Sequence, residues 1–358
     1  MKKIIFILFI AVCLNAQTLN FEIPIDEANN SIENKTVILE SGDTNAKTDT
    51  NFTYKPSFEE EDLNDTYFSL NTNVNFAVVI NKRRFFKYLP SLMNALNAYF
   101  AQKGIDYNIT LYNSDVNISD IQTDDIIYFT TNPDELNRLQ NIDKNFYLPL
   151  IHKNETNISA KNIYFGSIDF EKQVNALSYF IDGKTDVIAD NTMLSQKLLN
   201  YEKNITYLNH VYTFPNIYYR DLNNTFVIFN TGAGKTAQVL STITQKEIQT
   251  KLALSPQIGY DPLMIILTQP ADIEKLLIAN SIIHPPLVIN EYVSLLNSDI
   301  RYNWLNYATC ILANKIYNLQ NEEDEFYMSD FNIYIFDNQI DYKIKLYRII
   351  DGAFKEVE

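Results

Sequence analysis

The chain has 358 residues, 46% of them hydrophobic, and carries 29 Lys+Arg against 44 Asp+Glu for a formal charge of −15. A chain of this length can bury a sizeable core, while a surface this acidic repels nucleic acid and anionic lipid, so nucleic acid is not expected as a partner. Two Cys and three scattered His exclude a disulfide framework and a Cys/His zinc cluster. No metal and no cofactor is expected.

Lys2 and Lys3 precede an unbroken apolar run, Ile4 to Leu14, which ends before the small Ala16. Charge, core length and order read as a secretory signal peptide over 1–16. The run is too short to span a bilayer. A lipoprotein would use Cys13, but bulky Val12 stands where a small residue is needed. Cleavage leaves Cys310 as the sole cysteine, expected as a buried hydrophobe. The mature chain is expected without a transmembrane segment, in the periplasm of a Gram-negative bacterium.

Residues 17–72, with "EANNSIENK" and "SFEEEDLNDT", are rich in Asn, Asp, Glu, Thr and Ser and lack apolar periodicity. They read as a disordered acidic tether. At Val74 the texture changes. "VNFAVVI" (74–80) is a buried-type strand, and 84–102 is an amphipathic helix with Gly104 as its C-cap. Strands are expected at 107–112, 125–130, 145–151, 162–168, 185–189, 225–229, 251–255 and 262–267. Helices are expected at 132–141, 169–181, 191–203, 235–244, 271–282 and 301–319. A hairpin turning at Asp337-Asn338, plus one strand, closes the chain. Strands alternating with helices define an α/β fold with parallel sheets flanked by helices. The length favours two lobes. Lobe 1 is expected over 73–166 plus about 290–358, and lobe 2 over 167–289.

One stretch, "FVIFNTGAGKTAQVLSTIT" (226–244), spells a phosphate-binding turn. A Walker A loop needs glycine five residues before its Gly-Lys pair, and Phe229 occupies that position. Gly232-x-Gly234-x-x-Ala237 fits the Rossmann form, but the next strand and its exit, "KLALSPQIG", offer no acid until Asp261 to hold a ribose. Two readings stay open. The glycines serve a tight turn, or the helix N-terminus with Lys235 holds a small anion.

The layout resembles the type I periplasmic binding proteins of the branched-chain amino-acid-binding kind. The residues that carry it are "VNFAVVINKRRFFKYLPSLMNALNAYFAQKG", "YFGSIDFEKQVNALSYFI", "KTDVIADNTMLSQKLLNYEK" and the glycine stretch. The resemblance implies a two-lobed fold with the ligand between lobes, at the carboxyl ends of strands. The matching loops hold Asn81, Lys82 and Arg83; Thr130 and Thr131; Asp190; and Asn230, Thr231 and Gly232. Lys235 completes the candidate cleft. Bulky Lys82, Arg83 and Arg84 depart from the small Ser/Ala/Thr loops of amino-acid binders, while Asp190 is the acid available to an ammonium group.

N-x-S/T occurs at ten asparagines, all before Thr225, and eight carry Asp or Glu two residues earlier. These are Asn29, Asn51, Asn64, Asn108, Asn117, Asn157, Asn204 and Asn223; Asn34 and Asn154 lack the acid. With 44 acids in 358 residues, about one of ten is expected by chance. The D/E-x-N-x-S/T pattern resembles the acceptor sequence of the Campylobacter-type oligosaccharyltransferase, which implies a periplasmic N-glycoprotein.

Two functions follow. The first is a solute-binding-like protein closing two lobes on a small polar ligand: an amino acid, a peptide or an organic acid. The second is a non-transport scaffold or regulator that uses the same fold to contact an envelope protein. No nucleophile elbow, Cys/His pair or selected carboxylate pair is present, so no enzyme is expected.

Overall fold

The computed structural model describes residues 52–54, 74–205, 207–283 and 285–357. The expected signal peptide and nearly all of the expected acidic tether lie outside these residues. Phe52–Tyr54 is the exception. It forms strand β1, antiparallel to β3 (Tyr107–Asn113), so this part of the leader is sheet rather than tether. Between them in sequence come β2 (Val74–Ile80) and helix α1 (Leu89–Lys103). The helix starts later than 84 because Pro90 sits in its first turn, the position that tolerates a missing N–H. Gly104, at φ 66°, ends it as expected.

Strands β4 (Asp125–Tyr128), β5 (Asn145–Leu148) and β6 (Ile163–Phe165) follow, with the short helix α2 (Leu136–Leu139) between β4 and β5. β3, β2, β4, β5 and β6 run parallel in that order. Every residue of β4 is buried, as befits a strand covered on both faces.

The chain then crosses to a second sheet. Helix α3 (Phe170–Ser178) is capped by Asp169, whose side chain accepts from Lys172 N. β7 (Thr185–Ala189), helix α4 (Met193–Ile205), β8 (Leu208–Thr213), β9 (Phe226–Asn230), helix α5 (Ala233–Gln245) and β10 (Leu252–Ser255) continue the alternation. Two expectations fail next. Residues 262–267 are helix α6 (Pro262–Leu267), because Asp261 caps Leu263 N and Pro262 takes the first turn. Residues 271–282 are not one helix. They divide into the short helix α7 (Pro270–Ile273) and β11 (Leu276–Asn280), which is fully buried between β10 and a later strand.

Helices α8 (Leu287–Leu295) and α9 (Trp304–Gln320) return to the first lobe, where both pack on α1. β12 (Tyr327–Met328), β13 (Ile333–Phe336) and β14 (Gln339–Ile340) extend the first sheet to nine strands. Asp337 and Asn338, at φ 49° and 61°, make the expected hairpin turn. The last two strands, β15 (Lys345–Ile350) and β16 (Ala353–Val357), belong to the second sheet instead, β15 antiparallel to β11. The assignment of 290–358 to lobe 1 is therefore corrected for residues 345–357: β11 offers an open edge that β15 fills. The chain thus passes between the sheets three times, after β6, β11 and β14. At the first crossing a Cβ on Gly166 would stand 2.6 Å from Leu312 Cδ1, so a larger residue would force the buried Leu312 side chain of α9 to shift.

Among the described residues no helix is long and apolar enough to cross a membrane, and no group of three potential metal ligands gathers.

Candidate functional site: the space between the lobes

The loops expected to form the cleft do lie at the carboxyl ends of parallel strands, but several of their polar groups are taken up by bonds within the protein. In the first lobe, Asn81 Oδ1 accepts from Arg84 N and Thr130 Oγ1 accepts from Asn132 N, both local turn bonds. Lys82 N donates to Asn113 Oδ1. Arg83 is exposed and Thr131 half-buried. In the second lobe, Asp190 pairs with Lys235 at 2.9 Å and accepts from the Thr192 hydroxyl at 2.6 Å. Burial pushes the Asp190 carboxyl up, but the bonds from Thr192 and Lys235 outweigh it and hold it below the usual carboxylate range. Thr231 and Thr236 hydroxyls bond each other, and Asn230 bonds Glu202. The glycine stretch is a strand–turn–helix whose lysine is engaged by Asp190.

The rims also touch. Arg84 Nη2 lies 3.4 Å from Met193 Sδ, Glu155 pairs with Lys197 at 2.6 Å, and Asn154 donates to Glu171. Beneath these contacts the first-lobe core runs through Phe85, Phe129 and Leu150 into Phe170, Val174, Leu194 and Leu198 of the second lobe as one apolar cluster. The rings of Phe85 and Phe129 stand 6.1 Å apart. Apolar burial of this kind drives the lobes together, and this cluster joins them beneath the rims.

A cavity of about 600 Å³ opens beside it, with walls from both lobes. Aromatic rings form part of the lining. Phe170 meets Trp304 edge-on at 6.1 Å, and Tyr260 lies 5.5 Å from Tyr302. Asp261 and Asp299 line it with only one cation, exposed Lys87. Asp261 caps α6 through one oxygen. Burial pushes its carboxyl up, the Leu263 N–H offsets this only in part, and Asp299 adds to the rise. Asp299 accepts from the backbone N–H groups of Arg301, Tyr302 and Asn303. A third wall is the start of α5: Gly232 and Ala233 line the cavity, and Gly232 supplies no side-chain cap for the first-turn N–H groups.

Buried amides fix the loop that carries Tyr260 and Asp261. Gln257 N donates to Gln173 Oε1, Gln257 Nε2 to Asn280 Oδ1, and Ser281 N to Gln257 Oε1. Of the residues singled out from sequence, only Gly232 lines this cavity. Asp261, Asp299, Tyr260, Tyr302, Trp304 and Phe170, which also line it, are not among the expected cleft residues. The readable signal was position: Asp261 follows β10, another parallel strand of the second lobe.

Of the sequon asparagines, Asn108, Asn117, Asn154, Asn157, Asn204 and Asn223 are exposed; Asn29, Asn34, Asn51 and Asn64 lie outside the described residues. The acid preceding Asn204 differs from the others described, because Glu202 is fully buried.

No protein-family model matches the chain, and no curated protein matches it by sequence. Solved structures do. A branched-chain amino acid ABC transporter protein from Thermus thermophilus with bound valine is similar, with a TM-score of 0.60 and 12% identity over 80% of this chain and 95% of that one. A leucine-binding protein from Thermotoga maritima has a TM-score of 0.56 at 12% identity, covering 80% and 98%. An ABC transporter substrate-binding protein from Aeropyrum pernix has a TM-score of 0.57 at 11% identity, covering 79% and 94%. The chain has the two-lobed type I periplasmic-binding-protein fold.

Proposed function

We propose that this chain is a periplasmic solute-binding-like protein that takes an amino acid or a similar small amphipathic molecule into the cavity between its lobes. One observation carries the reading: a cavity is walled by both lobes and sets carboxylates and the start of α5, where Gly232 is the N-cap, around a partly aromatic lining. Asp261 and Asp299 suit an ammonium group, the α5 N-terminus suits a carboxylate, and Tyr260, Tyr302, Trp304 and Phe170 suit an apolar side chain. The valine bound by the Thermus thermophilus neighbour supports the same class. Lobe closure is the mechanism. Catalysis is not part of the reading.

Titration calorimetry against apolar and aromatic amino acids and dipeptides tests it. Asp261→Asn keeps a capping side chain but removes the charge. The expected loss is one charge-assisted hydrogen bond, about 1.5–3 kcal/mol, or roughly 10- to 100-fold in Kd. Failure of every compound to bind would overturn the reading.

A second reading, a scaffold or regulator, is favoured by one observation. Leu287, Val288, Tyr292 and Leu295 of α8 are exposed on a helix without sequons. An envelope protein retained by the wild type and lost on Leu295→Glu would support it. We further propose that the eight acid-preceded sequons are N-glycosylated after export through the signal peptide, Asn204 before the chain folds; a bare polypeptide mass from the native host would contradict this.

A further inference from the structure

Glu202 of α4 and Asn230 at the end of β9 are both fully buried. Asn230 Nδ2 donates to Glu202 Oε2 at 2.8 Å. The other oxygen of each, Glu202 Oε1 and Asn230 Oδ1, is buried with no hydrogen-bond partner. A carboxylate only accepts, so an ionised Glu202 leaves both oxygens unsatisfied. One proton cures both: a carboxylic acid donates through O–H and accepts through C=O, matching the amide's C=O and N–H.

We propose that Glu202 is a protonated, positioning residue in the folded protein, and that its acid–amide pair with Asn230 fixes the Thr231-Gly232 turn and the start of α5 at the cavity wall. The binding consequence rests on the cavity reading above; the protonation does not. Burial pushes the Glu202 carboxyl up to about 8, in the same direction. Among the described residues, the charged groups on the elements packed against α4 are engaged elsewhere or exposed. Asp186 of β7 pairs with His210, Asp190 after β7 with Lys235, and Glu171 of α3 accepts from Asn154. Lys197 of α4 itself pairs with Glu155, while Lys172 of α3 and Lys203 of α4 are exposed.

Glu202→Gln is the test, because a glutamine amide reproduces both bonds without a titrating proton. Wild type and variant are unfolded in urea from pH 5 to pH 9. The ratio of their folding constants is expected to shift toward the variant by close to tenfold per pH unit up to about pH 8, and to level off above it. A ratio independent of pH overturns the proposal. Infrared spectra of the wild type alone give a second decision: a protonated-carboxyl band that survives at pH 7 and disappears through pH 8 is expected, and its absence at pH 7 is contrary. With leucine as probe, wild-type affinity should fall above pH 8 while the variant's holds; equal profiles in the two would remove the positioning role. If leucine binds neither protein, the cavity reading loses support, while the urea and infrared results still decide the pair.

Discussion

Truncating Phe85 to alanine asks whether apolar packing joins the lobes. The ring is 5% exposed, stands 6.1 Å from Phe129, and belongs to the cluster that continues into Phe170, Leu194 and Leu198. Deleting a buried phenylalanine ring costs about 3–5 kcal/mol, because the surroundings collapse only in part. At about 2.1 cal/mol/K of unfolding entropy per residue, that is on the order of 5–8 °C in Tm for the roughly 285 described residues. Calorimetry should register this drop. X-ray scattering of the same sample should register a larger radius of gyration, as the rims lose their common filling. Phe85→Leu should recover more than half of both. A Tm change under about 1 °C would refute the packing argument. A large drop with unchanged scattering would confine the ring's role to the first lobe and remove the bridge.

The Cys310 thiol is fully buried in α9 and burial pushes its pKa up, so it should resist an aromatic disulfide reagent at pH 8 until denaturant is added; stoichiometric labelling of the native protein would contradict this. A Cβ on Gly259 would stand 2.3 Å from Ser255 Oγ, so Gly259→Ala should lose about 1–3 kcal/mol in urea unfolding, with Ser255→Gly restoring most of it; an unchanged midpoint is the contrary result. Because Glu202 is hidden, an enzyme that reads the acid two residues before the sequon should leave Asn204 bare on folded protein and modify it on unfolded chain, which peptide mass spectrometry after each treatment can decide.

Most strands of the parallel sheets were legible because they are short, β-branched and bounded by turn residues, and most helices because their caps are local: Asp169 before α3, Gly104 after α1. Apolar runs of about six residues were not, since PLMIIL and LLIAN carry no distinguishing period. The first became helix through its Asp261 cap and the second strand through burial between β10 and β15. The sheet joined by 345–357 was illegible for another reason: its partner β11 is some seventy residues away in sequence, and pairing choice is long-range. The site follows the same division. Loops at strand ends could be named, but not the ion pair that consumes Asp190 and Lys235, nor a cavity whose rings come from residues 170, 260, 302 and 304.

Mass spectrometry of the protein from its own host, under native and then denaturing conditions, decides whether the cavity between the lobes holds a small molecule. A small added mass in the native spectrum only, lost in Trp304→Ala, is the expected result. A native spectrum with no such mass, and no stabilisation by any amino acid or dipeptide offered, would contradict it.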